Sequence, residues 1–261
     1  MNLHILTCLT LLLTITTTKS QQWHSLPPML TNRSEHSVGV LNNMIYAIGG
    51  DINGPPISTG EMYNPKNKMW TNITSMSSSR QFFAIGIMKS LLFVVGGFND
   101  NSIEVYNPIS NQWNTNLASM STTRDSLGVA SLNDEQLYAV GGREGLQSML
   151  PLASAEMYNF SRNTWSNIAN MSTPRRGLGV AALNDLIYAV GGFTAKEDTP
   201  LSTCEVYDPK SNTWKNIAKM KIKRGYPGVV VSNGMLYAIG GDDGRMCLTS
   251  VEMYNPAKNK W

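Results

Sequence analysis

DLIYAVGGFTAKEDTPLSTCEVYDPKSNTW, residues 185–214, carries an apolar run with an aromatic, the pair Gly191-Gly192, a polar loop, the triplet Glu205-Val206-Tyr207, an Asp208-Pro209 turn and Trp214. Short apolar runs bounded by turn residues read as strands, so the order is strand, loop, strand, tight turn, strand. The same order returns at IYAIGG (45–50), LFVVGG (92–97), LYAVGG (137–142) and LYAIGG (236–241). Successive first glycines lie 47, 45, 50 and 49 residues apart, and six tryptophans (Trp23, Trp70, Trp113, Trp165, Trp214, Trp261) run at a similar period. A period near fifty built from short strands points to a propeller-like array.

The repetition extends inside the unit. Met29, Met76, Met120, Met171 and Met220 follow the first five tryptophans by six or seven residues, and each is followed four residues later by Arg33, Arg80, Arg124, Arg175 or Arg224. From each Arg to the next Gly pair takes 16 residues, or 17 in the third unit. The stretch from the second Gly to the Glu-x-Tyr strand varies instead, at 11, 7, 14, 13 and 11 residues. Variable loops on a constant scaffold are where function concentrates.

This pattern of Arg, Gly-Gly, Tyr and Trp resembles the kelch-repeat family, and the resemblance runs from Trp23 to Trp261. It implies an all-β fold, a kelch-type β-propeller of five repeats built from four-stranded antiparallel blades. The units fall at about residues 33–76, 80–120, 124–171, 175–220 and 224–261 of a domain spanning 21–261. In general form the chain looks like the short kelch-repeat proteins of poxviruses. In the fourth unit the expected strands are residues 179–183, 186–190, 204–207 and 213–217, with Asn184-Asp185 as a two-residue turn. Phe160 replaces the turn proline of the other units, so a different turn is expected there.

Two ends remain to be matched. The fifth unit reaches Trp261 where its outer strand begins, and residues 21–26 read as an outer strand with no blade of their own. Either the N-terminal strand closes the ring on the fifth blade, or the propeller is left incomplete with an exposed sheet edge. Residues 1–20 differ in composition from the rest. Their apolar core reads as a secretory signal peptide, which would make the protein secreted, or as the remnant of an upstream helical segment. Family resemblance instead implies the host cytoplasm. The Asn-x-Ser/Thr sequons at Asn32, Asn72, Asn159 and Asn170 would accept glycans only in a secreted chain.

Composition excludes several classes. Lys plus Arg is 21 against 18 acidic residues, a net charge of +3 spread along the repeats, so no nucleic-acid partner is read. No apolar run is long enough to span a bilayer. Cys8, Cys204 and Cys247 form no CxxC, and only His4, His24 and His36 exist, so neither a zinc site nor a metal cofactor is expected. Kelch-type propellers include copper oxidases, but their ligand set has no counterpart here. No Gly-x-Ser-x-Gly elbow or phosphate loop is present, and no small-molecule cofactor is implied.

Five glutamates (Glu61, Glu104, Glu156, Glu205, Glu252) share a register with the five arginines. Because buried charge must be paired, each Arg is expected to donate to a Glu as a bidentate pair in its own or a neighbouring blade. By resemblance to kelch adaptors, a protein or peptide partner would be read at one mouth of the propeller, by residues just after each Arg and each Gly pair. Carried over by position these are Ser34, Glu35 and Asp51; Gln81, Phe82 and Phe98; Asp125, Ser126 and Arg143; Arg176 and Phe193; and Tyr226 and Asp242. Aromatic residues and Arg dominate interface hot spots. The resulting expectation is a non-enzymatic protein-binding module, a viral modulator or decoy without the BTB and BACK domains that recruit a ubiquitin ligase. The alternatives are a sugar-active enzyme using Glu35, Asp51, Asp125 or Asp242, and an actin or cytoskeletal binder.

Overall fold

The computed structural model describes residues 25–148, 150–195 and 199–261; the signal-peptide reading of residues 1–20 lies outside them. The first blade holds β1 (Ser37–Leu41), β2 (Met44–Ile48), β3 (Gly60–Asn64) and β4 (Met69–Ile73). The second holds β5 (Ala84–Met88), β6 (Leu91–Gly97), β7 (Asp100–Asn107) and β8 (Gln112–Asn114). The third holds β9 (Gly128–Leu132), β10 (Gln136–Val140), β11 (Ala155–Asn159) and β12 (Thr164–Ile168), with the one-turn α1 (Gly145–Ser148) in its long loop. The fourth holds β13 (Gly179–Leu183), β14 (Leu186–Val190), β15 (Cys204–Asp208) and β16 (Thr213–Ile217). The fifth holds β17 (Gly228–Ser232), β18 (Met235–Ile239) and β19 (Val251–Tyr254). Every sheet is antiparallel in chain order, and the inner strands β1, β5, β9, β13 and β17 pack side by side in that order. The protein is a β-propeller of five blades.

Local chemistry sets each hairpin. The inner two strands of the first four blades join through Asn42-Asn43, Lys89-Ser90, Asn133-Asp134 and Asn184-Asp185, all with positive φ, and those of the fifth through Asn233-Gly234. Two left-handed residues in succession give the turn whose twist matches the strands, which is why Asn, Asp and Gly recur there. The second strands of the first four blades are apolar apart from Gln136 because neighbours cover both faces: Ile48, Val95, Val140 and Val190 are each 0% exposed. Their aromatics stack on the third-strand tyrosine of the following blade, in the pairs Tyr46–Tyr106, Phe93–Tyr158, Tyr138–Tyr207 and Tyr188–Tyr254, with centroids 5.9–6.3 Å apart. These inclined ring contacts stabilise beyond the area they bury.

The buried arginines repeat one network five times. Nη1 donates to the carbonyl of the first glycine of the pair, at 2.7–2.9 Å. Nη2 donates to the blade's own glutamate, at 2.8–3.2 Å. It also donates to the hydroxyl of Thr59, Ser102, Ser154, Thr203 or Ser250, two residues before that glutamate. The bidentate expectation is thereby corrected. The guanidinium reaches one carboxylate oxygen, while the other accepts a backbone N–H from Leu30, Ser77, Ser121, Ser172 or Lys221 in the turn leading to the same arginine. The glutamate thus ties the connecting turn to the third strand.

A second recurrent element was not read from the sequence. Asn111, Asn163, Asn212 and Asn259 take left-handed φ in the outer turns and accept the hydroxyl of Tyr106, Tyr158, Tyr207 and Tyr254. The same Asn oxygens accept the backbone N–H of Thr74, Ala118, Ala169 and Ala218 in the preceding connection. Asn163 keeps this contact although Phe160 stands in the proline position, and the turn differs as expected: Asn159 Oδ1 accepts the N–H of Arg162, three residues on, where Asn64, Asn107 and Asp208 accept from two residues on, and the Phe160 N–H donates to the Glu135 carbonyl at 3.0 Å. Phe160 also packs edge-on against Phe93, 6.0 Å between centroids. In the first blade Lys68 (φ 58) takes the Asn place, Pro27 has no N–H to offer, and the buried Tyr63 hydroxyl has no partner.

The fifth blade differs. Its Tyr254 stacks at 5.2 Å on Trp261, the residue at which the sequence places the start of its outer strand. Asn255 bridges Lys260, the first pairing of an outer strand, and β19 has no further strand on that edge among the described residues. Ser25 and Leu26 pair with no strand; Gln21 to His24 lie outside the described residues. Among the described residues the fifth blade has three strands, and most of residues 21–26, the strand expected to close it, lies outside them.

These networks set three stability outcomes. Glu205→Ala leaves Arg175 buried without its carboxylate and should cost about 3–5 kcal/mol in urea unfolding. Glu135→Ala, which removes a surface pair with Lys89 and the bond from the Ser161 hydroxyl, should leave the transition nearly in place. Lys68→Asn supplies the missing acceptor for Tyr63 and should add about 1 kcal/mol, read as a higher Tm.

Candidate functional site

The residues after each arginine and after each Gly pair meet at one end of the propeller. Ser34 bridges Asp51, Asp125 bridges Arg143, Arg176 bridges Phe193, and Gly225 bridges Asp242. In the second blade the Phe98 N–H donates to the Gln81 carbonyl at 3.1 Å. Two glycines make this meeting possible in every blade. In the fourth, Gly191 and Gly192 have φ of 62° and 93°, and a Cβ on either would come within 2.4–2.8 Å of a backbone oxygen of the neighbouring turns.

The second residue after each arginine forms the innermost line. Glu35, Phe82, Ser126, Gly177 and Tyr226 all have left-handed φ, between 49° and 58°. Their amides run hand to hand between blades: Tyr226 N–H to Gly177 C=O, Gly177 to Ser126 and Ser126 to Phe82, each at 2.7 Å, then Phe82 to Glu35 at 3.3 Å. The left-handed backbone turns each carbonyl toward the next blade's N–H, so this ladder fixes which side chains ring the mouth.

Those side chains divide by exposure. Asp51, Asp125, Ser126 and Phe193 are buried and act as supports, whereas Phe98 is 38% exposed. Ser34, Glu35, Gln81, Phe82, Arg143, Arg176, Tyr226 and Asp242 are half-buried and present part of their surface. Arg143 Nε donates to both oxygens of Asp125 at 3.1 Å. Arg176 lies with its guanidinium 5.0 Å from the Phe193 ring centre and donates to the Tyr226 hydroxyl at 3.0 Å. The Phe193 and Tyr226 rings are themselves 5.4 Å apart.

Gly177 and Gly225 were missing from the sequence-based set, and they are what lets the rings lie down. A Cβ at Gly225 would stand 1.8 Å from Phe193, and one at Gly177 would stand 2.7 Å from Tyr226. The signal was present: these are the two mouth positions where the repeats place glycine. Between the first and second blades, a cavity of about 60 Å³ is lined by Pro56, Gln81 and Phe98 with the Arg80–Asp100 pair, and Gln81 Oε1 is buried there without a partner.

The four candidate carboxylates do not form one cluster. Asp125 is engaged by Arg143, and Asp242 accepts the Gly244 N–H at 2.6 Å in its own loop. Glu35 and Asp51 do meet. Burial, then the hydrogen bond and charge of Asp51, push Glu35 up to about 7. Asp51 resists its own burial and is held below the usual range by hydrogen bonds from Ser34, Glu35 and Gly54. The pair therefore carries one proton near neutrality. Among the described residues no group of three or more His, Cys, Asp or Glu is disposed to hold a metal. No helix among them is long and apolar enough to cross a membrane.

Comparison with known proteins agrees with this geometry. A family profile described as the Kelch motif matches residues 32–77, 79–120, 128–172, 174–221 and 223–261. Kelch-like ECH-associated protein 1B of Danio rerio is 37% identical over 91 residues, 34% of this chain and 15% of the relative. Kelch repeat and BTB domain-containing protein 1 of Cowpox virus (strain Brighton Red) is 31% identical over 102 residues, 39% of this chain and 18% of the relative. The matched stretches thus span less than a fifth of those curated relatives. A solved structure titled "Structure of YjhT" superposes with a TM-score of 0.82, covering 93% of this chain and 87% of that one at 15% identity, a likeness of fold.

The raised Glu35 carboxyl makes stability depend on pH. Between about 4.5 and 7 the unfolded chain releases a proton that the folded chain keeps, so folding weakens as pH rises through that window. Glu35→Gln, which cannot ionise, should therefore raise Tm at pH 8 by an amount equivalent to about 1–2 kcal/mol, discounted for the residue's partial exposure, and change it little at pH 4.

Proposed function

The chain belongs to the kelch-repeat family, and on that premise we propose that it is a non-enzymatic module whose mouth binds a protein partner. The observation that supports this most is the composition of the laddered mouth. Phe82, Phe98 and Tyr226 present aromatic surface beside Arg143 and Arg176, on backbone held by hydrogen bonds from blade to blade. Aromatic rings and guanidinium groups on a rigid frame bind at low entropic cost and are the groups enriched in hot spots.

The partner is a peptide or loop that offers a carboxylate or backbone carbonyl to the arginine side and an apolar side chain to Phe98. The finer reading, a viral modulator that occupies host proteins, draws on the poxvirus relatives among the curated matches. A second reading, turnover of a sugar, draws on the Glu35–Asp51 pair, since a carboxyl near neutrality can act as a general acid.

Affinity capture from host-cell lysate separates these. The wild-type chain should retain a protein that Phe98→Ala with Tyr226→Ala binds at least ten-fold more weakly, while both forms unfold at similar temperatures. Equal recovery by the folded double variant would remove the mouth as the binding face. Glycoside turnover lost in Glu35→Gln would instead favour the second reading.

A further inference from the structure

The second blade carries a carboxylate at a position that is apolar in the other four. Asp100 lies four residues before Glu104, the place that Ile57, Leu152, Leu201 and Leu248 hold before the glutamates of their own blades. Its Oδ2 meets Arg80 Nη1 at 2.7 Å, while Glu104 meets Arg80 Nη2 at 3.0 Å. Among the described residues each of the other four blade arginines pairs with one carboxylate. Charge is balanced there, whereas two carboxylates against one guanidinium leave the second blade with an excess of negative charge.

The two lips of this blade are also less closed. In the other four, the residue after the arginine and the residue after the Gly pair exchange backbone hydrogen bonds in both directions, as Arg176 and Phe193 do. Gln81 and Phe98 make one such bond among the described residues, from the Phe98 N–H. Ser34 donates to Asp51 and Arg143 to Asp125, but Gln81 Oε1 is buried with no donor. An acceptor so placed costs stability until a donor reaches it. The loop here is the shortest of the five, seven residues from Gly97 to Glu104, and beside it opens the cavity of about 60 Å³ onto which Gln81, Phe98 and Asp100 face. The Asp100 side chain is 27% exposed, so lone pairs not used by Arg80 and the Ser102 N–H remain within reach.

We infer, resting on the reading of the mouth as a protein-binding face, that this cavity is a subsite for a primary ammonium, the side chain of a lysine in the partner. The ammonium donates to Gln81 Oε1 and to the Asp100 carboxylate, and its methylene stem lies along the exposed face of Phe98. The excess negative charge selects a cation. A space of about two water volumes admits a compact ammonium in preference to a planar guanidinium. Arg143 and Arg176 lie in the third and fourth blades, so the mouth is acidic on one side and basic on the other. The segment it takes therefore carries a lysine at the second blade and a carboxylate or carbonyl toward the arginines.

The probe is Nα-acetyl-lysine N-methylamide, titrated into the ¹⁵N-labelled full chain and followed by NMR. It should shift the backbone amides of Gln81, Phe98 and Asp100 saturably, whereas the norleucine amide, which has a methyl in place of the ammonium, should bind at least about ten-fold more weakly. Asp100→Asn removes the charge and leaves Arg80 its bonds to Glu104, the Gly96 carbonyl and the Ser102 hydroxyl. It should weaken the lysine amide by a similar factor. Gln81→Leu, which removes the unmet acceptor, should do the same with a Tm equal to or above that of the wild type, so it carries the test should Asp100→Asn fold poorly.

Any of four results would overturn the subsite: no shift at those amides, equal binding of the lysine and norleucine amides, tighter binding of the arginine amide, or wild-type affinity in the folded variants. The titration needs no protein partner. Failure of the subsite is therefore read from the lysine amide, and failure of the mouth as a binding face from lysate capture with Phe98→Ala and Tyr226→Ala.

Discussion

A guanidinium buried beside a carboxylate is the constraint on which the rest of the structure hangs. Arg124, Arg175 and Arg224 are 0% exposed, and a charge so placed persists only where its donors are met. Each arginine meets the glutamate of its own blade, a Ser or Thr hydroxyl, and the carbonyl of the glycine that opens the mouth loop. The carboxylate in turn binds the turn amides that lead into the arginine. Third strand, connecting turn and mouth loop are therefore locked to one another by a single network, so the position of the mouth is set by polar contacts deep in the blade.

That coupling explains the division of labour along each repeat. The arginine fixes the residue after it opposite the residue after the glycine pair, and the second residue after it turns left-handed and hands its carbonyl to the next blade. Apolar stacking of second-strand aromatics on third-strand tyrosines holds the blades at the same spacing. Variation is then confined to side chains at the rim and to loops of 7–14 residues, where it alters recognition without disturbing the frame.

Much of this was legible in the sequence because a five-fold recurrence separates constraint from accident. The strands of the fourth blade, its Asn184-Asp185 turn and the matching of Arg with Glu could be read from spacing, but not that each pair lies within its own blade. Contacts that join non-equivalent positions could not. The hydroxyl two residues before each glutamate looks like ordinary loop polarity until the guanidinium is seen above it, and Asn111 and its equivalents look like turn residues until their oxygens are seen to accept a tyrosine O–H. The partition of the mouth into buried supports such as Asp125 and presented groups such as Phe98 also depends on packing between blades. Phe160 marked a real departure, since its N–H, which proline lacks, bonds the Glu135 carbonyl, while the left-handed Asn163 still receives the Tyr158 hydroxyl.

Five blades are joined at the mouth by a hydrogen-bond ladder anchored by buried Arg–Glu pairs, and among the described residues that ladder runs from Tyr226 to Glu35 without a bond from the last blade to the first. Native-state amide hydrogen exchange reads it directly. Strong protection is expected at the amides of Phe82, Ser126, Gly177 and Tyr226 and at the carboxylate-bound amides of Ser121 and Ser172, with fast exchange at Glu35. Equal protection at Glu35, or exchange at the ladder amides as fast as in exposed loops, would contradict it.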